Sequence, residues 1–144
     1  MSEHKLDEET RRKMLTRLPF SRNSTITHTP KAYLTKDAAG EYDIPDDFRP
    51  VFSVRPFSSQ DKDRIAKKDK SNEDKLYREV TASNITGMSQ LYDAGSMEEI
   101  DFKSAPNGGM DMEQFMSLPV MVQIELYVFI AGISGLSVYE KSGL

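Results

Sequence analysis

The stretch LPVMVQIELYVFIAGISGL, residues 118–136, decides how the rest of the 144-residue chain is read, because nowhere else are apolar residues dense enough to anchor a core. Read as a helix, it places Gln123, Tyr127 and Ser134 on one narrow strip. Val120, Met121, Val122, Ile124, Leu126, Val128, Phe129, Ile130 and Ile133 cover the rest of its girth. Such a helix needs cover on several sides. Ser117 is the expected cap, Pro119 suits the first turn, and Gly135 is placed to end the helix. Ser137 and Glu140 then form a Ser-x-x-Glu capping box for a short last turn through Lys141. Glu125 falls opposite Gln123 and Tyr127 among apolar neighbours, so its charge calls for a basic partner or a rim position. A carboxylate at the centre of a membrane span costs roughly 2.5 to 3.5 kcal/mol, and Gln123 adds to that, so the run is read as a buried helix and no membrane partner is expected.

Length and composition bound the rest. One domain with tails is the expectation for this length. The net charge is −4, and basic residues are interleaved with acidic ones, so no basic face for nucleic acid can be drawn. Without cysteine there is no disulfide, no thiolate nucleophile and no cysteine zinc site. The opening residues MSEHKLDEETRRK lack the apolar stretch of a secretory signal, and the cytoplasm is the expected compartment.

Upstream of the apolar run, residues 3–18 carry acid-to-base pairs at i, i+4: Asp7 with Arg11, Glu8 with Arg12, Glu9 with Lys13. With only Met14, Leu15 and Leu18 as an apolar stripe, this is a solvated helical arm. Residues 19–31 lack a helical period and read as an extended linker, so residues 1–31 form an N-terminal arm ahead of a single α-rich domain over residues 32–144. Residues 32–35 and 41–44 flank an Asp-Ala-Ala-Gly turn and predict a small hairpin. Residues 51–55, VFSVR, are the best strand, with Phe52 and Val54 toward the core and Pro56 as the stop. Ser58 or Ser59 should cap a mostly exposed helix running to about Lys70, with Ile65 as its apolar anchor. Lys62, Arg64, Lys67, Lys68 and Lys70 are offset by Asp61, Asp63 and Asp69, which makes a solvated face rather than a phosphate stripe.

Ser71 with Asp74 starts a further helix whose stripe, Leu76, Tyr77, Val80, Asn84, Met88 and Leu91, carries it to about Leu91. Gly87 and Gly95 then punctuate a turn before residues 100–102. Asn107, Gly108 and Gly109 make the most flexible point of the chain. The loop delivers Met112, Phe115 and Met116 to the final helix, and methionine side chains suit adaptable contact surfaces.

Residues for chemistry are sparse. His4 and His28 lie apart in tails, away from any carboxylates with ligand spacing, so neither a metal site nor a histidine-based triad is expected. Gly108-Gly109 follows no strand and reads as a turn. Asp46-Asp47 and Glu98-Glu99 are adjacent and diverge on any regular element. The expectation is a protein that is not an enzyme and takes no cofactor.

A set of short motifs resembles the tail-morphogenesis proteins of tailed bacteriophages, and tail assembly chaperones above all. They are the strand residues 52–55, Gly87, Leu91, Asp93 and Gly95 leading into Glu98-Glu99-Ile100-Asp101-Phe102, then Gly108-Gly109, Leu118-Pro119 and Ser134-Gly135-Leu136-Ser137. The likeness covers roughly residues 50–144, and the family commonly has an aromatic residue where this chain has Met88. It implies a non-catalytic, helical protein of the host-cell cytoplasm that binds tape-measure and tail-tube proteins during tail morphogenesis. A structural subunit of the virion, such as a connector, tail or baseplate component, is the alternative. The expected fold is mainly α with a small β element, with the polar arm attached to a C-terminal helical domain. The expected partner-binding residues are Met112, Phe115, Met116, Met121, Ile124, Glu125, Val128 and Phe129. Self-association is also expected, since little apolar material lies outside residues 118–136.

Overall fold

The alternation in residues 51–55 becomes strand β2 (Val51–Val54) of the computed structural model, which describes residues 26–135. Phe52 and Val54 are both 0% exposed, while Val51 and Ser53 are only partly covered, as a strand with one core-facing side requires. β2 is the centre of an antiparallel sheet, with β1 (Ile26–His28) on one side and β3 (Ile85–Ser89) on the other. The register sets His28 against Phe52 and Phe52 against Met88, with a shift between Ser53 and Val54. Gly87 faces Ser53, where a Cβ would sit 3.4 Å from the serine Cβ. The described residues thus form a small α+β domain of four helices and a three-stranded sheet.

Two readings change at this sheet. Residues 26–28, expected in the linker, are its edge strand. The stripe that was to continue a helix to Leu91 breaks after α2 (Glu73–Ala82), and residues 85–89 turn into β3. Thr81 Oγ1 donates to the Tyr77 carbonyl at 2.6 Å, and Asn84 Nδ2 donates to the Val80 carbonyl at 2.7 Å. Polar side chains that satisfy the last helical carbonyls stop propagation, and Ile85 and Thr86 then suit a strand. Leu76 and Val80 are buried as the helical spacing requires, and Asn72 takes the N-cap place in preference to Ser71.

α1 (Ser59–Ala66) opens on a reciprocal capping box. Asp61 N–H donates to Ser58 Oγ at 3.0 Å, and Ser58 N–H to Asp61 Oδ2 at 3.1 Å. It ends at Ala66, a turn short of Lys70, and buries Ile65. The expected hairpin over residues 32–44 is present but short: Lys36 and Tyr42 pair antiparallel, the Asp37 N–H donates to the Glu41 carbonyl at 2.8 Å and the Asp43 N–H to the Thr35 carbonyl at 2.9 Å, while the start of its first arm is a 3-10 turn, Lys31–Tyr33.

The Asn-Gly-Gly turn is held firmly. Gly109 packs so close to α2 that a Cβ would come 2.4 Å from Ser83 Cα, and the Met110 N–H donates to the Ala82 carbonyl at 2.8 Å. Gly108 supplies the positive φ of 84° that the turn needs. Arg55 reaches the same corner, donating from Nη2 to the Ser83 carbonyl at 2.7 Å and to the Asn107 carbonyl at 3.2 Å.

The methionine-rich approach is a separate helix, α3 (Met112–Met116), capped by Asp111. Ser117 closes α3 instead of opening the last helix, and its hydroxyl donates to the Gln114 carbonyl at 2.6 Å. The decisive stretch forms α4 (Val120–Ile133), with Pro119 just outside at the N-cap and Gly135 ending it at φ 84°. The arm helix at residues 3–18 and the capping box at Ser137 and Glu140 lie outside the described residues.

α4 is apolar nearly all round, and it buries its polar strip together with half of its apolar girth. Gln123 and Tyr127 face inward at 7% and 8% exposure, beside Val122, Leu126, Ile130 and Ala131. Met121 is 71% exposed, Val120 63%, Ile124 51% and Val128 45%. Inside, Gln123 Nε2 donates to the Leu118 carbonyl at 2.8 Å, and the Tyr127 ring packs against Phe57 and Tyr77 at centroid distances of 5.7 and 4.7 Å. A satisfied amide and a large aromatic body can be buried as well as an aliphatic chain. No helix among the described residues is long and apolar enough to cross a membrane.

Candidate protein-binding face

Because α4 hides its polar strip, its outer side is apolar. Met121, Ile124 and Val128 recur at i, i+3 and i+7 along it, with Gly132 continuing the line. Beside them α2 and α4 leave a groove of about 530 Å³. Phe115, Gln123 and Tyr127 form its depth, and Val120, Ile124 and Val128 form one wall. Asp74, Tyr77, Arg78 and Thr81 of α2 form the other.

Desolvation sets the chemistry of the floor. Burial raises the Tyr127 hydroxyl to about 12, with the Glu73 carboxylate adding to it. Burial also raises Tyr77, helped by its hydrogen bond to Glu73 Oε1 at 3.0 Å. Both phenols are held neutral and serve as packing surfaces with a polar edge.

The eight residues expected from sequence fall into two groups. Met112, Met116, Met121, Ile124 and Val128 are exposed, the first two on α3 and the others on α4. Phe115 is buried at 1% exposure and reaches the surface only as groove floor. Glu125 and Phe129 are half-buried and engaged within the chain, although both were expected to meet a partner. The Glu125 carboxylate meets His28 Nε2 at 2.6 Å and accepts the Lys31 N–H at 2.9 and 3.0 Å, while Phe129 stacks on the His28 ring at 4.0 Å. Glu125 thus has the basic partner its position called for. That partner is a histidine expected to lie in a tail.

Asp74, Arg78 and Thr81 were not singled out as binding residues. Tyr77 and Thr81 sit one turn apart on α2, as do Asp74 and Arg78, but that spacing is equally that of an ordinary helix surface. Their common face is fixed only by α4. Along α1, Lys67 pairs with Asp63 at 3.0 Å and Arg64 reaches Glu79 at 3.5 Å, on an exposed and mixed-charge surface. Among the described residues, no three His, Cys, Asp or Glu side chains converge as a metal site would need.

No family model, characterised protein or solved structure compared with the chain matches it.

Proposed function

We propose that the chain is a non-enzymatic assembly factor, a tail assembly chaperone of a tailed bacteriophage that holds tape-measure or tail-tube proteins in the host cytoplasm. The observation that carries the protein-binding part is the outer face of α4, where Met121, Ile124 and Val128 stand open to solvent along one helical line. With Val120 beside them at 63% exposure, these side chains gather open apolar surface on one helix, the kind of feature that marks interaction sites. Methionines 112 and 116 extend the apolar surface onto α3 and can follow the shape of more than one client segment. The phage assignment rests on the sequence motifs of residues 50–144, which fall largely outside this face.

Co-expression with the tape-measure protein of the same genome tests the reading. The chain should co-purify with it and keep it soluble, and Ile124→Asp should abolish both effects. Mass spectrometry of purified particles separates the chaperone from a virion subunit. A chaperone is absent from the particle, whereas stoichiometric presence assigns the chain to the particle itself.

A further inference from the structure

Asn107-Gly108 is the one Asn-Gly step in the chain, and both residues are exposed to water. Such a step is prone to deamidation, because glycine has no side chain to shield its nitrogen from the neighbouring amide. The Gly108 nitrogen loses its proton and attacks Asn107 Cγ, and ammonia leaves as a cyclic succinimide closes. Water then opens the ring. Attack at the former side-chain carbonyl leaves aspartate in the ordinary linkage, and attack at the main-chain carbonyl leaves isoaspartate, with the chain routed through Cβ. One water is consumed and one ammonia released, with no change of oxidation state.

The fold holds this step away from the reacting geometry. Gly108 N–H donates to the Ala105 carbonyl at 2.9 Å, and Asn107 has a negative φ, so Pro106 and Asn107 are the centre of a type I turn. At the third residue of that turn ψ is about 0°, which directs the Gly108 nitrogen away from the Asn107 Cβ, whereas ring closure needs it swung toward Cβ. The peptide plane that must swing is tied at both ends, since the Asn107 carbonyl also accepts from Arg55 Nη2 at 3.2 Å. The side chain is tied too. Its Oδ1 accepts the Gly109 N–H at 2.8 Å, one residue beyond the nitrogen that attacks. Gly109 cannot drift, because it lies against Ser83, where a Cβ would come 2.4 Å from Cα, and the Met110 N–H holds the Ala82 carbonyl at 2.8 Å.

We infer that Asn107-Gly108 is a masked deamidation site: the corner it forms with Arg55 and Ser83 preserves the asparagine while closed, and the isoaspartate formed when the corner opens prevents it from closing again. An isoaspartate adds one atom to the main chain inside the loop that two bonds close, Gly108 N–H to the Ala105 carbonyl and Ala105 N–H to the Gly109 carbonyl at 2.7 Å. It also turns the carbonyl that Arg55 holds into a side-chain carboxylate. The lengthened turn has no room to shift where Gly109 meets α2. Aspartate in the ordinary linkage keeps every one of these bonds, its carboxylate replacing the amide oxygen at the Gly109 N–H. Opening of this corner is thereby recorded covalently, independently of what the α4 face binds.

Peptide mapping by mass spectrometry tests this on the full chain, held at mildly alkaline pH either folded or in guanidinium chloride. Asn107 should lose its amide about tenfold or more slower in the folded chain, where the reaction waits on local opening. Equal rates overturn the inference, and this comparison needs no variant. Arg55→Ala, which releases the Asn107 carbonyl, should speed the folded-state reaction about three- to tenfold, whereas Leu126→Ala, which weakens the core elsewhere, should leave it unchanged. No acceleration by Arg55→Ala, or equal acceleration by both, overturns the clamp. For the product, chain aged in denaturant is returned to buffer and its isoaspartate fraction traced by isoaspartyl methyltransferase labelling. That fraction should melt below the unmodified chain, and Asn107→Asp should melt with it. An isoaspartate fraction as stable as the unmodified chain, or Asn107→Asp as unstable as the isoaspartate fraction, overturns the lock.

Discussion

Glu125 on α4 and His28 on β1 are 97 residues apart in sequence and meet at 2.6 Å. With Lys31 donating its N–H to both oxygens of the same carboxylate, one side chain pins the edge strand and the following 3-10 turn to the final helix. Truncating Glu125→Ala should cost about 1 to 3 kcal/mol in urea unfolding, since a charged acceptor of several bonds is lost. Amide hydrogen exchange at residues 26–31 should accelerate more than at residues 51–54. A cycle with His28→Ala should show a coupling of about 1 kcal/mol, and additivity within error would remove the clip from the account.

Asn84 is the most tightly held polar side chain of the core. It is 0% exposed, its amide nitrogen donates to Asp61 Oδ2 and to the Val80 carbonyl, and its oxygen accepts from Arg55 Nε at 3.3 Å. Replacing it with alanine should cost about 2 to 4 kcal/mol, because the helix cap, the end of α2 and the Arg55 guanidinium lose one shared partner. Leucine should not rescue it. A variant with wild-type thermal stability would show that the network is dispensable.

At Gly109 the constraint is room rather than charge. Gly109→Ala puts a Cβ 2.4 Å from the Ser83 backbone, so the turn or α2 must move, at a cost of about 2 kcal/mol or more. Gly108→Ala is strained by its φ of 84° and should cost about 1 to 2 kcal/mol. Denaturation midpoints of the two variants, compared with Gly132→Ala, where a Cβ meets nothing within 4 Å, check the ranking.

Alkaline pH should unfold the domain through its buried phenols. The Tyr127 pKa is about 12 in the fold against 10 when unfolded, and Tyr77 is shifted in the same direction. A raised folded pKa means that its contribution is whole below pH 10 and is lost as pH climbs from 10 through 12. The slope is at most about 1.4 kcal/mol per pH unit for each group. Absorbance of tyrosinate should show these two of the six tyrosines ionising together with loss of circular dichroism. Normal titration of all six in a folded protein would contradict the packing of α4.

The facing of α4 is open to a direct test by paired truncations. Leu126→Ala, at 0% exposure, should cost about 2 to 5 kcal/mol, and Ile124→Ala, at 51%, well under 1 kcal/mol. Equal losses would mean that the outer face is covered in solution.

Much of the architecture follows local rules. The alternation in residues 51–55, the Ser58–Asp61 capping box, the buried Ile65, the Leu76–Val80 stripe and the stop at Gly135 each depend on neighbours within a turn or a pleat. Strand β3 was hidden because Asn84, Met88 and Leu91 keep a helical spacing by coincidence, while its partner strand lies some thirty residues upstream. Ile26 and Thr27 are β-branched and suit a strand, but three residues inside a Ser- and Thr-rich run are too short to read as one without the partner waiting at Val54, Ser53 and Phe52.

Of the candidate surface, sequence alone determined that the apolar run holds a helix, realised as Val120–Ile133, with more apolar surface than one side of a small domain can cover. It also determined that Glu125 needs a partner. Only the tertiary structure decided which side of that helix is hidden. Periodicity gives the relative angle of side chains about an axis but not the direction from which neighbours arrive. Here Phe57 and Tyr77 arrive on the Tyr127 side and pack against its ring, while the neighbouring Gln123 amide is satisfied locally by the Leu118 carbonyl. Val122, Leu126 and Ile130 go inside with them, and Val120, Met121, Ile124 and Val128 are left outside, because hydrophobic burial is indifferent to which apolar atoms fill the core, whereas hydrogen bonds and ring contacts are not.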